Sequence, residues 1–76
     1  MKLQEKVGQR IAFLRKEKKL SQLDFSYEAN LERTYLTHIE NGRKNISMVT
    51  LEKIISALGV TQEKFFSSDE FKNKGY

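Results

Sequence analysis

Between Ser21 and Asn45 a serine that can cap a helix opens one apolar segment, Asn30 interrupts it, and Leu36 and Ile39, three residues apart, carry a second before Gly42. That pattern reads as two short amphipathic helices joined by a tight turn. Ser21 can cap the first helix, with Asp24 three residues on completing a capping box. Leu23, Phe25 and Ala29 then face inward or nearly so. Asn30 stands where the chain must turn, and asparagine accepts the left-handed conformation better than other non-glycine residues. The second helix is expected over about Glu32 to Asn41, with Gly42 in the position after its end.

Helical spacing governs the rest of the chain as well. Leu3, Val7, Ile11 and Leu14 form one stripe, predicting a first helix over about residues 2–18. Ser47 can cap a helix whose Leu51, Ile54, Ile55 and Leu58 share a face and which Gly59 ends. Thr61 can cap a short fifth helix holding Phe65 and Phe66. From Ser67 the chain is polar apart from Phe71 and Tyr76 and is expected to fray. There is no proline and no internal repeat. The expected fold is all-α, an orthogonal bundle of five helices over residues 1–66, with 67–76 as a polar tail.

Seventy-six residues make one domain near the lower limit for folding on a hydrophobic core alone. Without cysteine there is no disulfide, thiolate metal site or cysteine nucleophile, so stability must come from packing or from a partner subunit. No apolar run approaches a membrane span, and the N-terminus lacks the apolar stretch of a signal peptide, so a soluble, cytoplasmic chain is expected. One histidine and two aspartates supply no nucleophile–base pair, no metal-ligand cluster and no cofactor motif. An enzyme is not expected, nor a metal or cofactor. The net charge of +4 is concentrated at the start, where residues 1–20 hold seven Lys or Arg against two Glu. Such a basic segment suits a polyanionic partner, and it equally suits a solvated helix face.

Placing residues 33–41 on a helical wheel separates two faces. Leu36 and Ile39 define the inward direction; Thr34 and Asn41 point away from it, flanked by Thr37 and His38, and Arg33 can swing outward from the first turn. An ordinary exposed helix would carry more Lys and Glu, the stronger helix formers. Guanidinium groups, threonine hydroxyls and methyls, and imidazole suit the edges of bases in the major groove of double-stranded DNA. Arg33, Thr34, Thr37 and His38 are therefore the candidate base-reading residues. Phosphate contacts set the register of such a helix. Gln22 opens the preceding helix, where free amides favour a phosphate oxygen. Asn41, Arg43, Lys44 and Asn45 surround the Gly42 turn, and Tyr35 either reaches the backbone of the nucleic acid or packs against a neighbouring helix.

The elements LRKEKKLSQLDFSYEANL, ERTYLTHIENGRKNIS and LEKIISALGV resemble the helix-turn-helix domain of the Cro and lambda-repressor-like (XRE) family, over about Val7 to Phe66. Within it, the RTYLTHIENGRKNIS block looks most similar to the controller proteins of restriction–modification systems. The resemblance implies the lambda-repressor-like five-helix bundle. It assigns a phosphate contact to Gln22 and implies an ion pair between Glu40 and Arg15 at the end of the first helix. It also implies regulation of the chain's own promoter, by activation at low concentration and repression at high. Four residues depart from the family pattern. They are Ser26 for the usual Ala, Asn30 for Gly, Glu32 for a Ser or Thr cap, and Ile46 for Pro.

A single module of this size makes few base contacts, which argues for a two-fold dimer with its reading helices about 34 Å apart. Val60, Phe65 and Phe66 are the candidate dimer surface, one phenylalanine closing the core and the other facing the partner. The expected function is sequence-specific regulation of transcription by a homodimer on a pseudo-palindromic operator, by blocking or recruiting RNA polymerase. A phage-type repressor, an antitoxin and a protein-interaction adaptor on the same fold are the alternatives.

Overall fold

The structure, a computed structural model, describes residues 1–72. Five helices follow one another: α1 Leu3–Glu17, α2 Gln22–Glu28, α3 Arg33–Glu40, α4 Met48–Leu58 and α5 Gln62–Phe65. A single 3₁₀ turn, Asp69–Phe71, comes after them.

Side-chain oxygens start three of the helices. Ser21 Oγ accepts from the Asp24 amide, Ser47 Oγ from Thr50 and Thr61 Oγ1 from Lys64, each at 3.0 Å. The capping box expected at Ser21 is only half made, because the Asp24 carboxylate sends no bond back. Aspartate is one methylene shorter than the Glu or Gln such a box uses. The reciprocal half appears at α1, where the Lys2 amide donates to Glu5 Oε1 at 2.8 Å. Asn30 takes φ +56 at the α2–α3 turn, and Gly42 and Gly59 take φ +74 and +73 after α3 and α4. Lys19 also has positive φ, which no feature of the sequence announced.

The core is one cluster drawn from all five helices, with Ile11, Phe25, Leu36, Ile54 and Phe65 fully enclosed. Two expected core residues lie outside it. Leu3 is 65% exposed, since the first turn of α1 reaches past the elements it could pack on. Leu23 is 43% exposed, because Phe25, Ser26 and Ala29 take up the inward face of the short α2.

Gly8 brings α1 and α3 together. A Cβ there would collide with the Ile39 carbonyl oxygen and sit 3.0 Å from that of Glu40. Arg10, also buried, donates from Nε to the Phe65 carbonyl at 2.8 Å and from Nη2 to that of Lys64 at 2.9 Å. It thereby ties the end of α5 to α1, with the Phe13 ring 5.7 Å from its guanidinium carbon. The segment after Ser67 is ordered further than its polarity predicts. Phe71 packs on Phe66 and Phe65, ring centroids 5.0 and 6.1 Å apart, which fixes the 3₁₀ turn. Tyr76, expected in the frayed tail, lies outside the described residues.

Candidate nucleic-acid interface

The α3 helix is held from behind by apolar packing and by one buried ion pair. Leu36 and Ile39 are buried to 0% and 2% exposure. Beside them Arg15 Nε donates to Glu40 Oε2 at 2.7 Å and Nη2 to Oε1 at 3.0 Å, a two-pronged contact. The third guanidinium nitrogen, Nη1, donates to the Leu20 carbonyl at 2.8 Å. All three nitrogens are thus satisfied, and α1 is bolted to the last turn of α3.

The ion pair continues into α2. Gln22 Nε2 donates to Glu40 Oε1 at 3.0 Å. Its Oε1 lies 2.9 Å from Thr37 Oγ1, which is also 3.0 Å from the Arg33 carbonyl. A hydroxyl has one proton, so Thr37 donates to one of these two inward acceptors and turns its methyl and a lone pair elsewhere. Gln22 therefore joins α2 to α3, and one amide hydrogen is left for any outside contact. Sequence reasoning gave it a phosphate role alone; the network is invisible until Glu40 and Thr37 are known to sit one turn apart beside it.

The opposite side of α3 is open. Arg33, Thr34 and Asn41 are exposed, and Thr37 and His38 are half-buried. Glu32 makes no cap bond, so the first amides of α3 have no side-chain partner. Arg43, Lys44 and Asn45 are all exposed on the turn that follows. That turn needs glycine: Gly42 has φ +74, and a Cβ would lie 2.9 Å from Glu5 Cγ and 3.1 Å from Glu5 Cα. Gln4 Nε2 donates to the Gly42 carbonyl at 2.8 Å, so α1 also fixes the turn. Tyr35 is half-buried and packs against the core cluster.

Not every charge of the basic N-terminal segment is free for a polyanion. Arg10 and Arg15 are committed inside the fold, and Lys18 Nζ donates to the Ala57 carbonyl at 3.2 Å with Glu28 at 3.9 Å. Arg33 is exposed at the start of α3, and Arg43 and Lys44 are exposed on the turn that follows it.

Phe65 does not belong to an exterior surface. It is fully buried in the monomer, while its neighbour Phe66 is 39% exposed and meets it edge-on at 4.8 Å. Val60 is half-buried against the same core. Among the described residues no helix is long and apolar enough to cross a membrane, and no group of three or more His, Asp or Glu converges as metal ligands would.

A family model described as a helix-turn-helix domain matches residues 8–69. The control protein C.MunI of a Mycoplasma species is 48% identical over 64 residues, 83% of this chain and 86% of that protein. The immunity repressor protein of Bacillus phage phi105 is 52% identical over 54 residues, 71% of this chain and 38% of the repressor. Among solved structures, the restriction–modification controller protein C.Esp1396I, a tetramer in complex with its natural 35 base-pair operator, aligns with a TM-score of 0.82. Its identity is 38%, and the alignment covers 87% of each chain.

Proposed function

We propose, from the premise that this chain belongs to the helix-turn-helix family of DNA-binding transcriptional regulators, that it reads a specific operator as a homodimer. One observation carries the reading. The exposed start of α3, Arg33 and Thr34, projects from a helix that Leu36, Ile39 and the Arg15–Glu40 pair hold rigidly from the other side. A reading helix needs that combination, since misplacement of base contacts erases their discrimination. Arg43, Lys44 and Asn45 then take phosphates beyond its C-terminal end, and Gln22 takes one at the start of α2.

The restriction–modification controller role is the preferred biological setting, because the similarity to C.MunI extends over most of that control protein. A phage-type repressor is the second reading, favoured by the higher identity to the phi105 protein over a smaller share of its length. In either case the dimer acts in the cytoplasm by occupancy, blocking RNA polymerase or recruiting it according to where the site lies. Selection of bound duplexes from a random pool tests this. The expected product is a pseudo-palindrome with half-sites one DNA turn, about 34 Å, apart. A pool with no enriched sequence overturns the proposal.

A further inference from the structure

Four side chains run in a hydrogen-bonded chain from the interior to the outward side of α3, and the ion pair at its inner end fixes its polarity. Arg15 donates to both oxygens of Glu40. A carboxylate has no proton to offer, so Gln22 must meet Glu40 with Nε2, which it does at 3.0 Å. The other end of that amide, Oε1, is thereby turned to Thr37, 2.9 Å from its Oγ1. With the amide reversed, a carbonyl oxygen would face a carboxylate oxygen and no proton would lie between them.

Thr37 ends the chain with two acceptors around one hydroxyl. Besides Gln22 Oε1, the Arg33 carbonyl lies 3.0 Å from Oγ1. After its bond to carbon, a hydroxyl oxygen has three directions left, one for the proton and two for lone pairs. Two of those directions end on acceptor oxygens here. A proton in the third would leave bare lone pairs facing both of them. The proton therefore stays inside, and the third direction carries a lone pair. Thr37 itself is half-buried, while Thr34 and Asn41, three residues before and four after it on the same side of the helix, are exposed.

We infer that Thr37 reads DNA as an acceptor only, selecting a base with an exocyclic amino group over one with a keto oxygen, a preference that Gln22 and Glu40 set from behind and that rests on the DNA reading above. In the major groove adenine N6 and cytosine N4 donate, whereas thymine O4 and guanine O6 accept. An amino group fills the open direction of the hydroxyl. A keto oxygen meets a lone pair there, and turning the proton out to it forfeits the bond to Gln22. A threonine free of such neighbours would serve either class, because its hydroxyl rotates to suit what it meets. One hydrogen bond made or lost is worth about 3–10-fold in affinity. Thr37 is the residue that touches the base; Gln22 and Glu40 are positioning residues.

The test uses the operator selected by the wild type, resynthesised with each base pair of one half-site exchanged in turn. Affinities are read by fluorescence anisotropy at fixed salt, and circular dichroism checks that each variant is folded. At one position, on the strand facing α3, wild type should bind adenine and cytosine about 3–10-fold more tightly than guanine and thymine. Thr37→Ser keeps the hydroxyl and should keep that ratio. Thr37→Val keeps the shape without the oxygen and should bring the ratio to about one. Gln22→Met removes the acceptor that holds the proton inward, while the Arg33 carbonyl keeps its helical amide partner. Its ratio should also fall toward one, whatever the variant loses in overall affinity. A ratio lost in Thr37→Ser but kept in Thr37→Val would follow the methyl group and overturn the assignment. So would a ratio unchanged in Gln22→Met, or an operator with no position that answers to Thr37→Val. A wild type that enriches no sequence removes the DNA reading itself, whereas a selected operator without these responses removes only the role given to Thr37.

Discussion

Replacing Arg15 with Met strips the buried Glu40 carboxylate of both its guanidinium bonds and leaves the Leu20 carbonyl without its donor. The two side chains are 8% and 5% exposed, so water cannot take over without opening the α1–α3 contact. Breaking a buried pair from one side costs about 3–5 kcal/mol. A 76-residue domain has about 4–11 kcal/mol in total. The variant should therefore sit near the edge of unfolding, its midpoint lower by about 15–30 °C. Urea denaturation followed by circular dichroism measures this, with the slope checking two-state behaviour. Adding Glu40→Met should restore most of the loss, since exchanging a whole buried pair for apolar groups is close to neutral. The double variant should nevertheless bind its selected operator more weakly, because Gln22 has lost the acceptor that orients it. A single variant that loses under about 1 kcal/mol, or a double variant no more stable than the single, would refute the reasoning.

Three other perturbations probe different contacts. Gly8→Ala drives a Cβ into the Ile39 carbonyl, a backbone atom that cannot swing away, so thermal melting should show a loss of about 1–3 kcal/mol despite alanine's better helix propensity. Arg10→Met leaves the Phe65 carbonyl without its donor, while that of Lys64 keeps the Ser67 hydroxyl at 2.8 Å; stability should fall by about 1–3 kcal/mol, and hydrogen exchange should show α5 protection falling more than that of α3. Lys44→Ala, at an exposed cation on the turn, should weaken binding to all duplexes alike and make the slope of log affinity against log salt shallower by about one unit.

Local chemistry announces its own positions in this chain. The oxygens of Ser21, Ser47 and Thr61 cap where a short polar side chain precedes an apolar run, and Asn30, Gly42 and Gly59 turn where such residues must. What depends on distant neighbours could not be read in the same way. Leu3 has the spacing of a core residue, but nothing lies opposite it; only the placement of α4 and α5 makes it the wall of a groove. Arg10 looked like one more cation of a basic helix until α5 was seen to end against it. Gly8 did carry a signal, since a glycine inside a helix costs about 1 kcal/mol against alanine and so suggests a close approach. At the candidate interface the exposed side of α3 followed from periodicity, whereas the Thr37–Gln22–Glu40 chain needed the angle between two helices.

The most direct trial of the DNA reading is a pair of titrations with the Arg33→Ala variant, one on the selected operator and one on a random duplex of the same length and salt. Loss of about 1–3 kcal/mol on the operator, with relaxed preference at one position per half-site and little change on random DNA, is the predicted result. Equal losses on both duplexes would mean that Arg33 contributes only charge, and that the exposed side of α3 does not read bases.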